Sequence, residues 1–186
     1  MILRSLGDIT YWKKIIADDT VEFKINHTFQ KQSSLSQFEI VNTNGRQKLS
    51  IPTVKKTRKG KYELVQIDYS TNWQIEHWRS IENAYLKSPF YLYYGYKIEA
   101  IFKQNHITLL DLNCALVEII CNCIKLKKEP IFNRNEEVYF EKQVGLSHSI
   151  YPQVFDTKLP FEQNLCILDL LFNLGPETLD YLRRNH

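Results

Sequence analysis

Several widespread signatures of chemistry are missing from this 186-residue chain: it has no Walker loop, no GxGxxG turn, no HExxH helix and no nucleophile elbow. Those absences argue against a P-loop ATP-dependent ligase and against the common hydrolase classes. No apolar run reaches the roughly 18 residues that a membrane helix needs, and no secretory segment follows Met1, so a soluble cytoplasmic chain without membrane insertion is expected. Charge of one sign is also scarce. Lys and Arg number 24 against 21 Asp and Glu, leaving a formal +3. A surplus that small does not make a nucleic-acid footprint. The cysteines, Cys114, Cys121, Cys123 and Cys166, lack the paired spacing of a zinc site. Three of them fall on one predicted helix whose faces point apart, so reduced, buried thiols are expected rather than bridges. A nucleophilic Cys166 is set aside, because the nearby Asp169 raises a thiol pKa rather than lowering it. No motif calls for a metal or a cofactor.

What the chain does have is apolar and aromatic mass, 44% and 13% of residues, enough for one domain spanning 1–186 with a substantial core. A short helix is expected over 9–17. Val21, Phe23 and Ile25 then alternate with Glu22, Lys24 and Asn26, the period of a half-buried strand over 20–27. Strands over 38–41 and 48–51 flank Asn44-Gly45, a hairpin signal in which both residues tolerate positive φ. Pro52 ends the second of them. A basic loop, 55–61, and a strand over 63–69 follow. From Asn72 the spacing turns helical, with Trp73, His77, Ile81 and Ala84 on one face and Trp78 and Tyr85 beside it. Further helices are expected over 91–103, 109–127 and 165–174, with a strand over 136–142. Gly175-Pro176 marks a helix stop and a new start. With no repeats and no linker, the pattern predicts an α+β fold: a strand-rich first third with a β-hairpin, then helices.

Several blocks in this order resemble the WbqC family: Lys31-Gln32, Asn44-Gly45, Leu49-Ser50-Ile51-Pro52, Ile67-Asp68-Tyr69, His77-Trp78-Arg79, Ala84-Tyr85, Ser88-Pro89-Phe90, Gln153-Val154-Phe155, and the run from Ile167 to Pro176. The resemblance spans nearly the whole chain. It implies a bacterial protein of surface-polysaccharide (O-antigen, lipopolysaccharide) biosynthesis. The partner would be a small-molecule glycan precursor or an acyl or aminoacyl carrier. An acyl or aminoacyl transferase acting on an amino-sugar is one implied activity; a non-catalytic precursor-binding or scaffold protein is the other. The chain departs from the family pattern at Ser34-Leu35-Ser36-Gln37, where a basic, asparagine-containing stretch is expected. That departure favours altered specificity or lost activity.

Within the resemblance, His77 is the candidate general base, because imidazole titrates near neutral pH; the alternative is a histidine that simply packs at the core margin. Asp169 stands among apolar neighbours and needs a partner, either to orient a base or as a structural clasp. Lys31, Gln32, Arg79, Tyr85, Gln153 and Asn173 are the candidate substrate contacts. The run Lys55, Lys56, Arg58, Lys59, Lys61 holds a pyrophosphate or an acidic carrier, or is a solvated loop. The aromatic group Phe90, Tyr91, Tyr93, Tyr94 and Tyr96 reads as core before it reads as a sugar-stacking wall.

Overall fold

The computed structural model describes residues 1–137 and 148–184. Its elements are α1 (Ile9–Ala17), β1 (Glu22–Asn26), β2 (Gln37–Asn42), β3 (Gly45–Ser50), α2 (Trp73–Tyr85), α3 (Tyr91–Phe102), α4 (Leu109–Cys123), β4 (Ile131–Glu137), α5 (Ile167–Leu174) and α6 (Thr178–Arg183). The α+β class and the early strands agree with the sequence. Among the described residues, no helix is long and apolar enough to cross a membrane.

The strands form two separate pairs. β1 buries Phe23 and Ile25, as its alternation requires. Its partner comes from far along the chain: β4 runs parallel to it, with Phe23 opposite Phe132 and the two rings stacked at 5.8 Å. Of the strand expected over 136–142, residues 138–142 lie outside the described ones, and β4 begins five residues earlier. β2 and β3 form the antiparallel hairpin. Only Gly45, at φ 103°, takes positive φ there. Asn42 Oδ1 accepts the Asn44 N–H at 2.8 Å, and the two-residue loop is Thr43-Asn44, inside the connection expected between the two strands.

The strand expected over 63–69 is absent. A 3-10 turn, Tyr62–Leu64, stands in its place, followed by single bridges from Ile67 to Thr53 and from Gln66 to Thr108. The cause is Tyr62, whose fully buried ring stacks on His27 at 4.8 Å and whose hydroxyl accepts from Asn113 Nδ2 at 2.6 Å. That anchor fixes a turn where a ladder would need an extended neighbour.

α2 buries the expected face, Trp73, His77, Trp78, Ile81, Ala84 and Tyr85. α4 begins at a capping box of Thr108 and Asp111. It stops at Cys123 rather than 127 because Lys125 turns left-handed and Leu126 N–H reaches back to Cys121 O at 2.9 Å. α3 corrects the core reading of the aromatic group in part: Tyr91 is core and Tyr94 packs against it, but Tyr93 and Tyr96 are not. Tyr91, Gly95, Ile98 and Phe102 make a narrow buried stripe, whereas Tyr93 and Tyr96 are 67% and 63% exposed. Lys97 lies over the Tyr94 and Tyr96 rings instead. The cysteines are free, with Cys121, Cys123 and Cys166 buried and Cys114 half-buried.

A single apolar cluster extends from Ile2 to Leu182, and α5 contributes most of its length to it. Gly175 closes α5 at φ 52°, with a Cβ there landing 2.4 Å from Phe90 Cγ. Gly175→Ala therefore meets both a left-handed backbone and the Phe90 ring, which must shift to admit it. Its expected cost is about 1–3 kcal/mol, read as a lowered denaturant midpoint at unchanged slope. An unaltered midpoint would mean that Phe90 swings aside freely.

Candidate functional site

Two clefts open on either side of the loop 32–37, and Gln32 and Gln37 line both. Left-handed backbone at Gln32 (φ 53°) turns this loop out of the path toward β2.

The first cleft has a volume of about 300 Å³. Its wall on one side is the β2–β3 hairpin, which presents Glu39, Arg46 and Lys48. On the other side are Asp8, the N-cap of α1, and Cys166, the N-cap of α5. Backbone ties close the floor: Asp8 bridges Cys166, and Cys166 N–H donates to Glu39 O at 2.9 Å. Arg46 is held from three directions, donating to Glu162 Oε2 at 2.7 Å, to Glu39 Oε2 at 2.9 Å and to the Gln163 carbonyl. Burial alone would lower its pKa, but the bonds to Glu162 and Glu39 outweigh that and hold it above the ordinary value. Lys48 Nζ stands 3.6 Å from Glu39. Asp8 is likewise occupied, accepting the Tyr11 N–H at 2.8 Å. Burial pushes the Cys166 thiol well up, which disfavours the thiolate that a nucleophile needs. Ser5, fully buried, also lines this cleft, and its hydroxyl has no partner among the described residues.

The second cleft, about 420 Å³, is lined by Lys31, Arg58, Ser36, Ser50 and Thr53 among others. The Arg58 guanidinium is stapled in place: Nε donates to Thr53 Oγ1 at 2.8 Å and Nη2 to the Thr53 carbonyl. The basic loop is thus partly ordered, with a 3-10 turn at Lys55–Thr57, rather than wholly solvated.

Of the candidate residues, Lys31 and Gln32, with Arg58 of the basic run, line these clefts, whereas His77, Asp169, Arg79, Tyr85, Gln153 and Asn173 do not. His77 sits on α2, 8% exposed, edge-on to Trp73 at 5.2 Å and to Phe38 at 6.0 Å. Burial drops its pKa to about 4, and its Nδ1 has no partner among the described residues. Arg79 is exposed on the same helix. Asp169, fully buried on α5, accepts from Tyr151 Oη at 2.5 Å and Gln153 Nε2 at 2.9 Å through one oxygen. Tyr85 Oη faces the same carboxyl without closing a bond of ordinary geometry, and neither it nor Asp169 Oδ1 has another partner among the described residues. Asn173 donates to the Asp169 carbonyl at 2.8 Å. Among the described residues no hydrogen bond or ring contact joins His77 to Asp169.

Gln153 links this buried group to the first cleft. Its side-chain amide clamps Glu162 from both sides, donating to the carbonyl at 2.9 Å and accepting the N–H at 3.0 Å. Glu162 in turn holds Arg46. Asp169 and Gln153 thus brace the cleft wall from behind. Sequence reasoning passed over Arg46, Glu39 and Glu162, whose partnership joins positions seven and 116 apart. The cross-strand pairing of Glu39 with Lys48 was the one signal available.

No curated protein and no solved structure matches the chain. The family match stops short of the blocks at 153–155 and 167–176, so Gln153, Asp169 and Asn173 fall beyond it while the loop 32–37 and the hairpin fall within. With the model of the WbqC-like protein family matching residues 8–145, most of its length, the chain belongs to that family.

Proposed function

We propose that this WbqC-like protein binds a small, polar, sugar-sized precursor of surface glycans in the paired clefts at loop 32–37. The observation that carries the reading is the shared lining. Gln32 and Gln37 serve both clefts, and the stretch that departs from the family pattern, Ser34 to Gln37, contributes to each. Amides, hydroxyls and fixed charges dominate the walls, the complement that hydroxyl-rich ligands require. The carboxylates Asp8 and Glu39 are already committed to an N-cap and to Arg46 with Lys48, which suits orientation better than proton transfer. Binding is therefore the first reading. Acyl or aminoacyl transfer, with His77 as base and Asp169 in support, is the second. It draws support from the His77 Nδ1 and Trp73 Nε1 atoms, two adjacent buried groups without partners among the described residues.

The test is a thermal-shift screen against nucleotide-sugars, free amino-sugars and acyl or aminoacyl carriers. A ligand at a hundred times its Kd adds about 2.7 kcal/mol. The double variant Gln32→Ala/Gln37→Ala is expected to keep the free protein's midpoint and lose the ligand-induced shift. A shift that survives in the double variant places the ligand elsewhere. A mass change in the ligand that is absent with His77→Gln would promote the transferase reading.

A further inference from the structure

The two clefts differ in charge, and that difference assigns part of a ligand. In the first, each cation has an acid: Arg46 has Glu39 and Glu162, and Lys48 has Glu39. In the second, Lys31 and Arg58 have no carboxylate within ion-pair distance among the described residues. Asp68, the acid whose charge Arg58 influences, is turned toward the Ser70 N–H at 3.0 Å. Arg58 is half-buried and makes no ion pair among the described residues, with Asp68 acting on it only at longer range.

Its geometry sharpens the point. Nε and Nη2 are spent on Thr53, which fixes the plane of the guanidinium and leaves Nη1 without a bonded partner among the described residues. A cation held this way has lost its rotamer freedom before any ligand arrives, so an anion meeting it incurs little ordering cost. Lys31 supplies a second, mobile charge on the same cleft, and Ser36 and Ser50 supply hydroxyls. Lys55, Lys56, Lys59 and Lys61 surround the Arg58 loop and add a long-range field of the same sign.

The geometry points to the Arg58–Lys31 cleft as a phosphoryl-binding subsite, taking the phosphate of a small phosphorylated sugar whose ring lies across Gln32 and Gln37 toward Arg46. The assignment rests on the precursor-binding reading for the ring, and on the second cleft alone for the phosphate. It also separates Arg58 from the other four cations of the basic run, which have no such fixed geometry, and from the exposed Arg79.

The test is calorimetric titration of the full chain with glucosamine 6-phosphate, glucosamine and inorganic pyrophosphate, repeated with Lys31→Glu, Arg58→Lys and Gln32→Ala/Gln37→Ala. Glucosamine 6-phosphate is expected to bind about tenfold or more tightly than glucosamine, the worth of one or two charge-assisted hydrogen bonds. Lys31→Glu and Arg58→Lys are each expected to erase that advantage. Arg58→Lys keeps the charge but loses the fork. Lys31 is exposed, so Lys31→Glu reads the subsite even where the Arg58 change disturbs the loop. Equal affinity for the two sugars, or a phosphate advantage that survives both variants, overturns the subsite. If the sugars bind and only the glutamine double variant abolishes them, the precursor-binding reading stands and the phosphoryl subsite falls. If pyrophosphate alone binds, and Arg58→Lys removes it, the subsite stands and the sugar reading falls. Binding of none of the three overturns both. A lipid headgroup offers the same phosphate chemistry; co-sedimentation with phosphatidic-acid vesicles that Arg58→Lys abolishes, without binding of the soluble probes, would overturn the soluble source.

Discussion

Asp169→Ala is expected to destabilise the fold by roughly 2–4 kcal/mol, with Asp169→Asn costing markedly less. The alanine leaves Tyr151 Oη and Gln153 Nε2, both buried, without their shared acceptor. Asparagine keeps an oxygen at that place. The loss propagates outward, because Gln153 clamps Glu162 and Glu162 holds Arg46. Asp169→Ala is therefore expected to weaken ligand binding in the first cleft as well, although no atom of Asp169 lines it. Chemical denaturation checks the stability term, and in a chain of this size the melting midpoint should fall by several degrees. A midpoint unchanged within about a degree would show that the carboxyl is not the hub of this group. The pH dependence provides a second check. Burial raises the Asp169 pKa above the ordinary carboxylate value, with the Tyr151, Gln153 and Tyr85 contacts acting against that rise. The folded state thus holds this proton more tightly than the unfolded one. Its stabilisation is complete below the unfolded carboxylate range and declines as pH rises to the folded pKa. Wild type should lose ground to Asp169→Asn on going from acid toward neutral pH, and profiles that run parallel would contradict the raised pKa.

What the residues disclosed in advance, and what they did not, divides along the distance between partners. α1 coincides with its predicted span, and α2 buries the face its spacing names, because helix periodicity is a local property. The hairpin was legible too, and its loop, Thr43-Asn44, falls inside the expected connection, where Asn42 Oδ1 accepts the Asn44 N–H. The partner of β1 lies more than 100 residues away in β4, and no local pattern encodes that pairing. Tyr93 and Tyr96 read as core because helical spacing does not fix which face of α3 turns inward. The stripe at Tyr91, Gly95, Ile98 and Phe102 shows that α3 offers the interior only one narrow face. At the site, Lys31 and Gln32 emerged from the resemblance. Arg58 emerged only as one of five cations until the Thr53 staple distinguished it. Arg46 stayed hidden because its significance lies in Glu162, which reaches it from the far end of the chain.

His77 gives a large pH effect, and the same experiment bears on its role. Its ring lies between the edges of Trp73 and Phe38, and the described residues give its Nδ1 no bond. Burial drops its pKa from the ordinary 6.5 to about 4. The unfolded chain therefore takes up a proton at this position below pH 6.5 while the folded chain refuses it until about 4. Within that window stability rises with pH, and acidification from the top to the bottom should cost about 3 kcal/mol through His77 alone. His27, whose pKa burial also lowers, adds to the same trend, whereas Asp169 opposes it. His77→Phe preserves a ring for Trp73 and Phe38 and removes the titration, so its stability profile between those pH values should be distinctly flatter than that of the wild type. Equal slopes would mean that His77 is solvated and titrates normally, the state in which a general base is cheap to maintain. A flatter slope identifies an imidazole kept neutral by the core. Such a group is weakly basic, and it would need a ligand at Nδ1 before it could take part in proton transfer. If ligand binding at loop 32–37 then leaves the acid limb of the wild-type profile in place, His77 belongs to the packing of α2 and not to the site.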